Sequence, residues 1–212
     1  MTGTRTVVHL LRHGEVHNPA GVLYGRLPDY HLSENGKAMA KRAADWFAGR
    51  DVVALYSSPL TRARETMAPV AERIGLDVSV ETRLIEPWNH FEGMTFGDGS
   101  LRHPKHWPYL LNPFRPSWGE PYREVVARMR AAIGRVRERA SGHEAVCVSH
   151  QLPIEVTRRA LQGDHLWHRP DRRRCSLASI TSVTFEGDTV VAVDYAEPAT
   201  DLLPTTPQPS GA

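Results

Sequence analysis

Short apolar runs alternate with stretches of helical periodicity along most of the chain. Residues 6–11 (Thr6-Val7-Val8-His9-Leu10-Leu11) are largely β-branched and apolar and stop at Arg12 and His13, the pattern of a buried strand feeding a polar loop. Residues 37–48 place Ala38, Ala40, Ala43, Ala44, Trp46 and Phe47 on one helical stripe, and Ser33 stands ahead of it as a candidate N-cap. A second strand over 52–56 is halted by Ser57-Ser58-Pro59, and residues 61–74 then keep helical spacing until Gly75, which puts Arg62 on that helix's first turn. A short third strand is expected over 77–80, with Glu86 on the loop that follows.

The middle of the chain loses this regularity. Residues 87–121 carry Trp88, Phe91, Phe96, Trp107, Phe114 and Trp118 among repeated prolines, which breaks regular structure and predicts a partly buried aromatic cap over a site. Pro121 suits the first position of a helix over 121–140, whose Val125, Val126, Met129, Ala132, Ile133 and Val136 face inward. Residues 145–149 are the clearest fully buried strand and end at His150, as the first strand ends near His13. A helix over 153–161 and two strands over 177–185 and 189–194, turning at Glu186-Gly187-Asp188, complete the pattern. The expected organisation is one domain over 1–197 and a proline-bearing, disordered tail over 198–212. Such alternation predicts an α/β three-layer sandwich with a mostly parallel central sheet flanked by helices, and a ligand site beyond the carboxyl ends of the strands.

With 212 residues, 41% of them apolar, the chain has enough material for one sizeable core. A net charge of +2 falls short of the clustered basicity that marks a nucleic-acid partner and leaves small anions as ligands. Cys147 lies inside an apolar run as a small buried hydrophobe, far from Cys175, so a disulfide framework is not expected. The first eleven residues match neither a secretory leader nor a membrane span, and the default compartment is the cytoplasm.

Arg12-His13-Gly14 sets an imidazole nucleophile beside a guanidinium, with a glycine that lets the backbone approach a ligand. Leu11-Arg12-His13-Gly14-Glu15 resembles the signature of the histidine phosphatase superfamily, the phosphoglycerate mutase-like proteins, and further segments match in order. Gly25, Asp29, Leu32-Ser33 and Gly36 resemble its stretch before the first helix. Ser57 to Thr66 resembles its second-arginine motif, Leu84-Ile85-Glu86 the segment supplying an acid, Gly119-Glu120 the opening of the late helix, and Val148-Ser149-His150 the second-histidine motif. The resemblance spans about residues 6 to 185. It implies a phosphoglycerate mutase-like fold, catalysis by His13, Glu86, Arg12, Arg62 and His150, and substrate contacts from Arg12, Arg62, His150, Asn18 and Gly25.

Physical logic supports the set. A phosphoryl group in transfer spreads negative charge over oxygens that need fixed donors, and forked guanidinium groups supply them without a metal or other cofactor. His13 must offer an unprotonated ring nitrogen, while Glu86 gives a proton to the leaving oxygen and later takes one from water. The chain departs from the family pattern at Pro87, where a glycine usually follows the acid, at Val16-His17-Asn18, one residue short of the usual spacing, and at Gln151, where a glycine usually follows the second histidine. Glu15, Glu92 and Asp98 are alternative acids. The favoured activity is hydrolysis of a small phosphorylated metabolite through a phosphohistidine; the alternatives are a phosphoglycerate mutase-like isomerase and a weakly catalytic phosphate-ester binder. His103 with His106 and His165 with His168 read as solvated or packing residues rather than metal ligands, because prolines stand at 104 and 170 and no cysteine or carboxylate cluster is near. The arginines at 158, 159, 169 and 172–174 read as a solvated face rather than a substrate rim.

Overall fold

The structure, a computed structural model, describes residues 3–95 and 119–204. Its sheet comprises β1 (Arg5–Arg12), β2 (Val52–Ser57), β3 (Val78–Val80), β4 (Glu144–Ser149), β5 (Ile180–Glu186) and β6 (Thr189–Ala196), in the order β3-β2-β4-β1-β5-β6. β3, β2, β4 and β1 pair in parallel, whereas β5 runs antiparallel to both β1 and β6. Helices α1 (Glu34–Phe47), α2 (Thr61–Ile74), α3 (Tyr122–Arg139) and α4 (Gln151–Gln162) cover the sheet. The α/β class and mostly parallel sheet read from the patterning are therefore present.

The two-residue period of the strands divides the core into two layers. Val8, Leu10, Ala145 and Cys147 pack with Val125, Met129 and Val136 of α3 and with Ile154 and Val156 of α4. Leu11, Val146 and Val148 point the opposite way, toward Ala43 and Phe47 of α1 and Ala63, Met67 and Val70 of α2. Among the described residues, no helix is long and apolar enough to cross a membrane.

Several boundaries shift for identifiable reasons. The Ser33 side chain accepts from the Gly36 amide at 2.9 Å, so α1 begins at Glu34. Helix α4 starts directly after His150 because Pro153 falls in its first turn, where a missing N–H costs nothing. β5 starts at 180 and not 177: Ala178 adopts a positive φ of 52°, which turns the chain beside His13 before the ladder begins.

The expected disorder from 198 onward needs correction for its first part. Ala199 is buried against Met39, Leu177 and Ala178, Leu202 and Leu203 pack on the same cluster, and the Asn35 side chain donates to the Leu202 carbonyl at 3.0 Å. These apolar side chains anchor a segment whose prolines suggested otherwise; residues 205–212 lie outside the described residues. Most of the aromatic cap, residues 96–118, also lies outside them. In its described flanks Phe91 is buried while Trp88 is 47% exposed, so burial of the aromatics is not uniform.

The start of α1 seats directly on the loop that follows β1. A Cβ on Gly36 would overlap the Glu15 carbonyl, and one on Gly14 would stand 2.6 Å from the Gly36 carbonyl. Gly36→Ala is therefore expected to destabilise the fold by about 2 kcal/mol or more, since backbone stands on both sides of the contact. A urea unfolding midpoint equal to that of the wild type would contradict this close approach.

Candidate active site

β1 and β4 pair with Arg12 opposite Ser149, so the residues that follow, His13 and His150, emerge side by side at the carboxyl ends of adjacent parallel strands. Their rings lie 5.2 Å apart, centroid to centroid. The His13 amide donates to the Ser149 carbonyl at 3.2 Å, and the Ala178 amide donates to the His13 carbonyl at 3.3 Å. Backbone thus fixes the position of His13 on both sides.

His13 Nδ1 lies 2.8 Å from the Gly14 carbonyl oxygen, which can only accept, so Nδ1 carries the proton and Nε2 keeps its lone pair. Burial, then the charges of Arg62 and Arg12, hold its pKa well below the ordinary 6.5; the Gly14 contact opposes them and loses. His13 is a neutral imidazole at neutral pH. His150 is depressed in the same way, first by burial and then by Arg62. Its Nε2 sits 2.7 Å from Ser58 Oγ, and among the described residues no other acceptor is in reach of the Ser58 hydroxyl proton. Ser58 therefore donates to Nε2, which leaves the proton of the neutral ring on Nδ1.

Arg12 and Arg62 are buried and anchored through backbone carbonyls. Arg12 donates to the Cys175 carbonyl at 2.7 Å and Arg62 to the Gly25 carbonyl at 2.6 Å, with the Arg62 guanidinium 4.7 Å from the Tyr24 ring centroid. Neither makes an ion pair among the described residues. Arg12 Nε, Arg62 Nε and His150 Nδ1 are buried donors without a partner among those residues. Buried donors of that kind are costly unless something accepts from them, and here they cluster around His13.

Glu86 joins this group, its Oε2 3.7 Å from His150 Nδ1. Burial raises its pKa above the ordinary 4.5 even though Arg62, Arg173, Arg12 and Arg128 all pull it down. Of the alternative acids, Glu15 holds Ser33 and Asn35 at 2.6 and 2.9 Å, and Glu92 accepts from the Asn89 amide; Asp98 lies outside the described residues. The structure therefore brings His13, Arg12, Arg62, His150 and Glu86 together.

Two sequence-selected residues act differently. The Asn18 carbonyl oxygen and one of its two amide N–H groups are taken by Val22, at 3.0 and 2.8 Å, so Asn18 shapes its own loop and keeps one N–H for a ligand. Gly25 contributes through its carbonyl to Arg62; its φ is 36°, and a Cβ there would overlap Glu92.

Other site residues escaped sequence reasoning. Ser58 sets the His150 tautomer, and Thr66 links the loop to α2 by accepting from the Gly14 amide at 3.1 Å and donating to the Arg62 carbonyl at 2.7 Å. Both lie inside the second-arginine segment, whose spacing was the available signal. Arg173 stands near Glu86 and Arg12, apart from the solvated face assigned to its stretch; nothing in the spacing distinguished it. His168 is buried and hydrogen-bonded to the Leu166 carbonyl and Arg173, a packing role, whereas His103 and His106 lie outside the described residues. Among the described residues no group of three or more His, Cys, Asp or Glu side chains is arranged to hold a metal ion.

Comparison with known proteins gives the same picture. The chain is 55% identical to the uncharacterized protein Rv0525 of Mycobacterium tuberculosis over 92% of its own length and 97% of the relative's. It is 33% identical to phosphoserine phosphatase 1 of Hydrogenobacter thermophilus, over 73% of this chain and 75% of that one. The solved mycobacterial glucosyl-3-phosphoglycerate phosphatase Rv2419c superposes with a TM-score of 0.74 at 26% identity, over 91% of this chain and 99% of that chain. A family model matches residues 8–198, covering the strand, loop and helix that carry every site residue just described, and the chain belongs to the histidine phosphatase superfamily (branch 1).

Proposed function

We propose that this protein hydrolyses phosphomonoesters through a phosphohistidine on His13. The observation that carries the reading is the set of unpaired buried donors around a neutral imidazole whose free nitrogen is Nε2. In the first half-reaction His13 Nε2 attacks phosphorus, a P–N bond forms and the ester P–O bond breaks. Glu86, protonated, gives its proton to the departing oxygen. In the second, water attacks the phosphohistidine, Glu86 takes its proton, and the P–N bond breaks to return neutral His13 with orthophosphate. Arg12, Arg62 and His150 Nδ1–H hold the phosphoryl oxygens throughout, and the charge of the two arginines makes a divalent cation unnecessary. The phosphatases among the similar proteins favour hydrolysis. A mutase would use the same residues and would differ in needing a bisphosphate primer and in returning an isomer.

The direct test is phosphate release from p-nitrophenyl phosphate and from sugar, glycerate and nucleotide phosphates with EDTA present. Wild-type turnover is expected to survive EDTA and to vanish in His13→Ala. Isomer formation without net phosphate release would point to the mutase, and inactive wild type that still binds phosphate esters would leave only the binder.

A pH dependence follows from the two titrating groups. His13 must be neutral, and its depressed pKa places the rising limb of kcat/KM below pH 6.5; Glu86 must be protonated, and its raised pKa places the falling limb above pH 4.5. With correction for the substrate's own second ionisation, an acid-side bell is expected. Glu86→Gln should lose the falling limb and slow alkyl phosphates by on the order of a hundredfold or more. An unchanged profile in that variant would remove Glu86 from the mechanism.

A further inference from the structure

Most arginines near the site are neutralised or exposed, and Arg173 is neither. Arg26 and Arg128 share Glu120, Arg158 pairs with Glu155 and Arg169 with Asp171, whereas Arg172 and Arg174 are exposed. Half-buried Arg173, just after a short 3₁₀ turn (Pro170–Arg172), has no carboxylate within 4 Å among the described residues. Neutral groups hold it instead. Its Nε donates to His168 Nε2 at 3.0 Å and a terminal nitrogen donates to Gln151 Oε1 at 3.0 Å. His168 is prepared for this contact: its Nδ1 proton is committed to the Leu166 carbonyl at 2.7 Å, which leaves Nε2 as an acceptor.

Gln151 joins this guanidinium to the phosphate-binding group. Its Nε2 reaches the Cys175 carbonyl at 3.4 Å, the same oxygen that takes Arg12 at 2.7 Å. The residue where the family usually has glycine therefore supplies a bridge between two arginines. Such an arrangement fixes the direction of a charged fork without cancelling its charge, and carrying an uncancelled charge into partial burial is unfavourable unless an anion completes it. A phosphoryl dianion held by Arg12, Arg62 and neutral His150 uses the charge of those two arginines and, with Glu86 protonated as the first half-reaction requires, leaves that of Arg173 unanswered.

The geometry points to Arg173, clamped by Gln151 and His168, as the receptor for a second anionic group on the substrate, a carboxylate or a further phosphate. The substrate class is then a phosphomonoester of an acidic small molecule. This inference rests on the phosphomonoester reading above and narrows it. Arg173 acts in recognition and takes no part in bond making.

Binding to the turnover-blocked His13→Ala protein, measured by calorimetry, tests it with matched ligands. 3-Phosphoglycerate is compared with glycerol 3-phosphate, and fructose 1,6-bisphosphate with fructose 6-phosphate, each pair differing by one acidic group. At least one acidic member should bind about tenfold or more tightly than its partner. That ratio should fall to about one when Arg173→Met is added, recover in part with Arg173→Lys, and also fall with Gln151→Ala, which leaves the arginine in place. A ratio near one in both pairs before any further substitution, or one that survives Arg173→Met, overturns the inference while the phosphomonoester reading stands. If neither pair nor orthovanadate binds at all, the phosphomonoester reading fails and takes this inference with it.

Discussion

The register of β1 against β4, with Arg12 opposite Ser149, is the constraint on which the rest of the site depends. Parallel pairing brings two strand ends to the same edge of the sheet, and this register makes the next residue on each a histidine. A shift of one position would turn the alternating side chains of either strand out of their layers, exchanging Val8 and Leu10 for His9 and Leu11. Two independent cores thus hold the two imidazoles at one separation. The side chains that make the chemistry possible are positioned by residues that take no part in it.

Around that pair the protein concentrates positive charge and declines to neutralise it. Arg12 and Arg62 are tied to carbonyl oxygens, whose partial charge orients a guanidinium without offsetting it. Burial first, and then that charge, keeps both histidines neutral, while burial keeps Glu86 inclined to hold a proton. One environment therefore prepares a ring nitrogen that is free of its proton and a carboxyl group that retains one, the pairing of nucleophile and acid on which the proposed reaction rests.

Much of this arrangement was legible in the sequence because local chemistry and global fold agree there. The apolar runs before His13 and His150 could be little other than buried strands, and Arg62 follows Ser57-Ser58-Pro59 at a helix start whatever lies around it. What stayed hidden depends on distant partners. Ala178 turns the chain in a segment whose composition reads as strand, and Asn18 turns to Val22 within its own loop. The docking of 199–203 needs Met39, Leu177 and Ala178, which no pattern within the tail reveals. Arg173 shares its composition with the arginines around it, and only Gln151 and His168, from two other places in the chain, set it apart.

The carbonyl-anchored guanidiniums carry a consequence for the end of the reaction cycle. Donors without a partner among the described residues suit any tetrahedral dianion, and on the proposed reaction the last species held there is orthophosphate. Release of that product has to break the same contacts that capture of the substrate makes. On that reaction orthophosphate would compete with the substrate for the site it has just left.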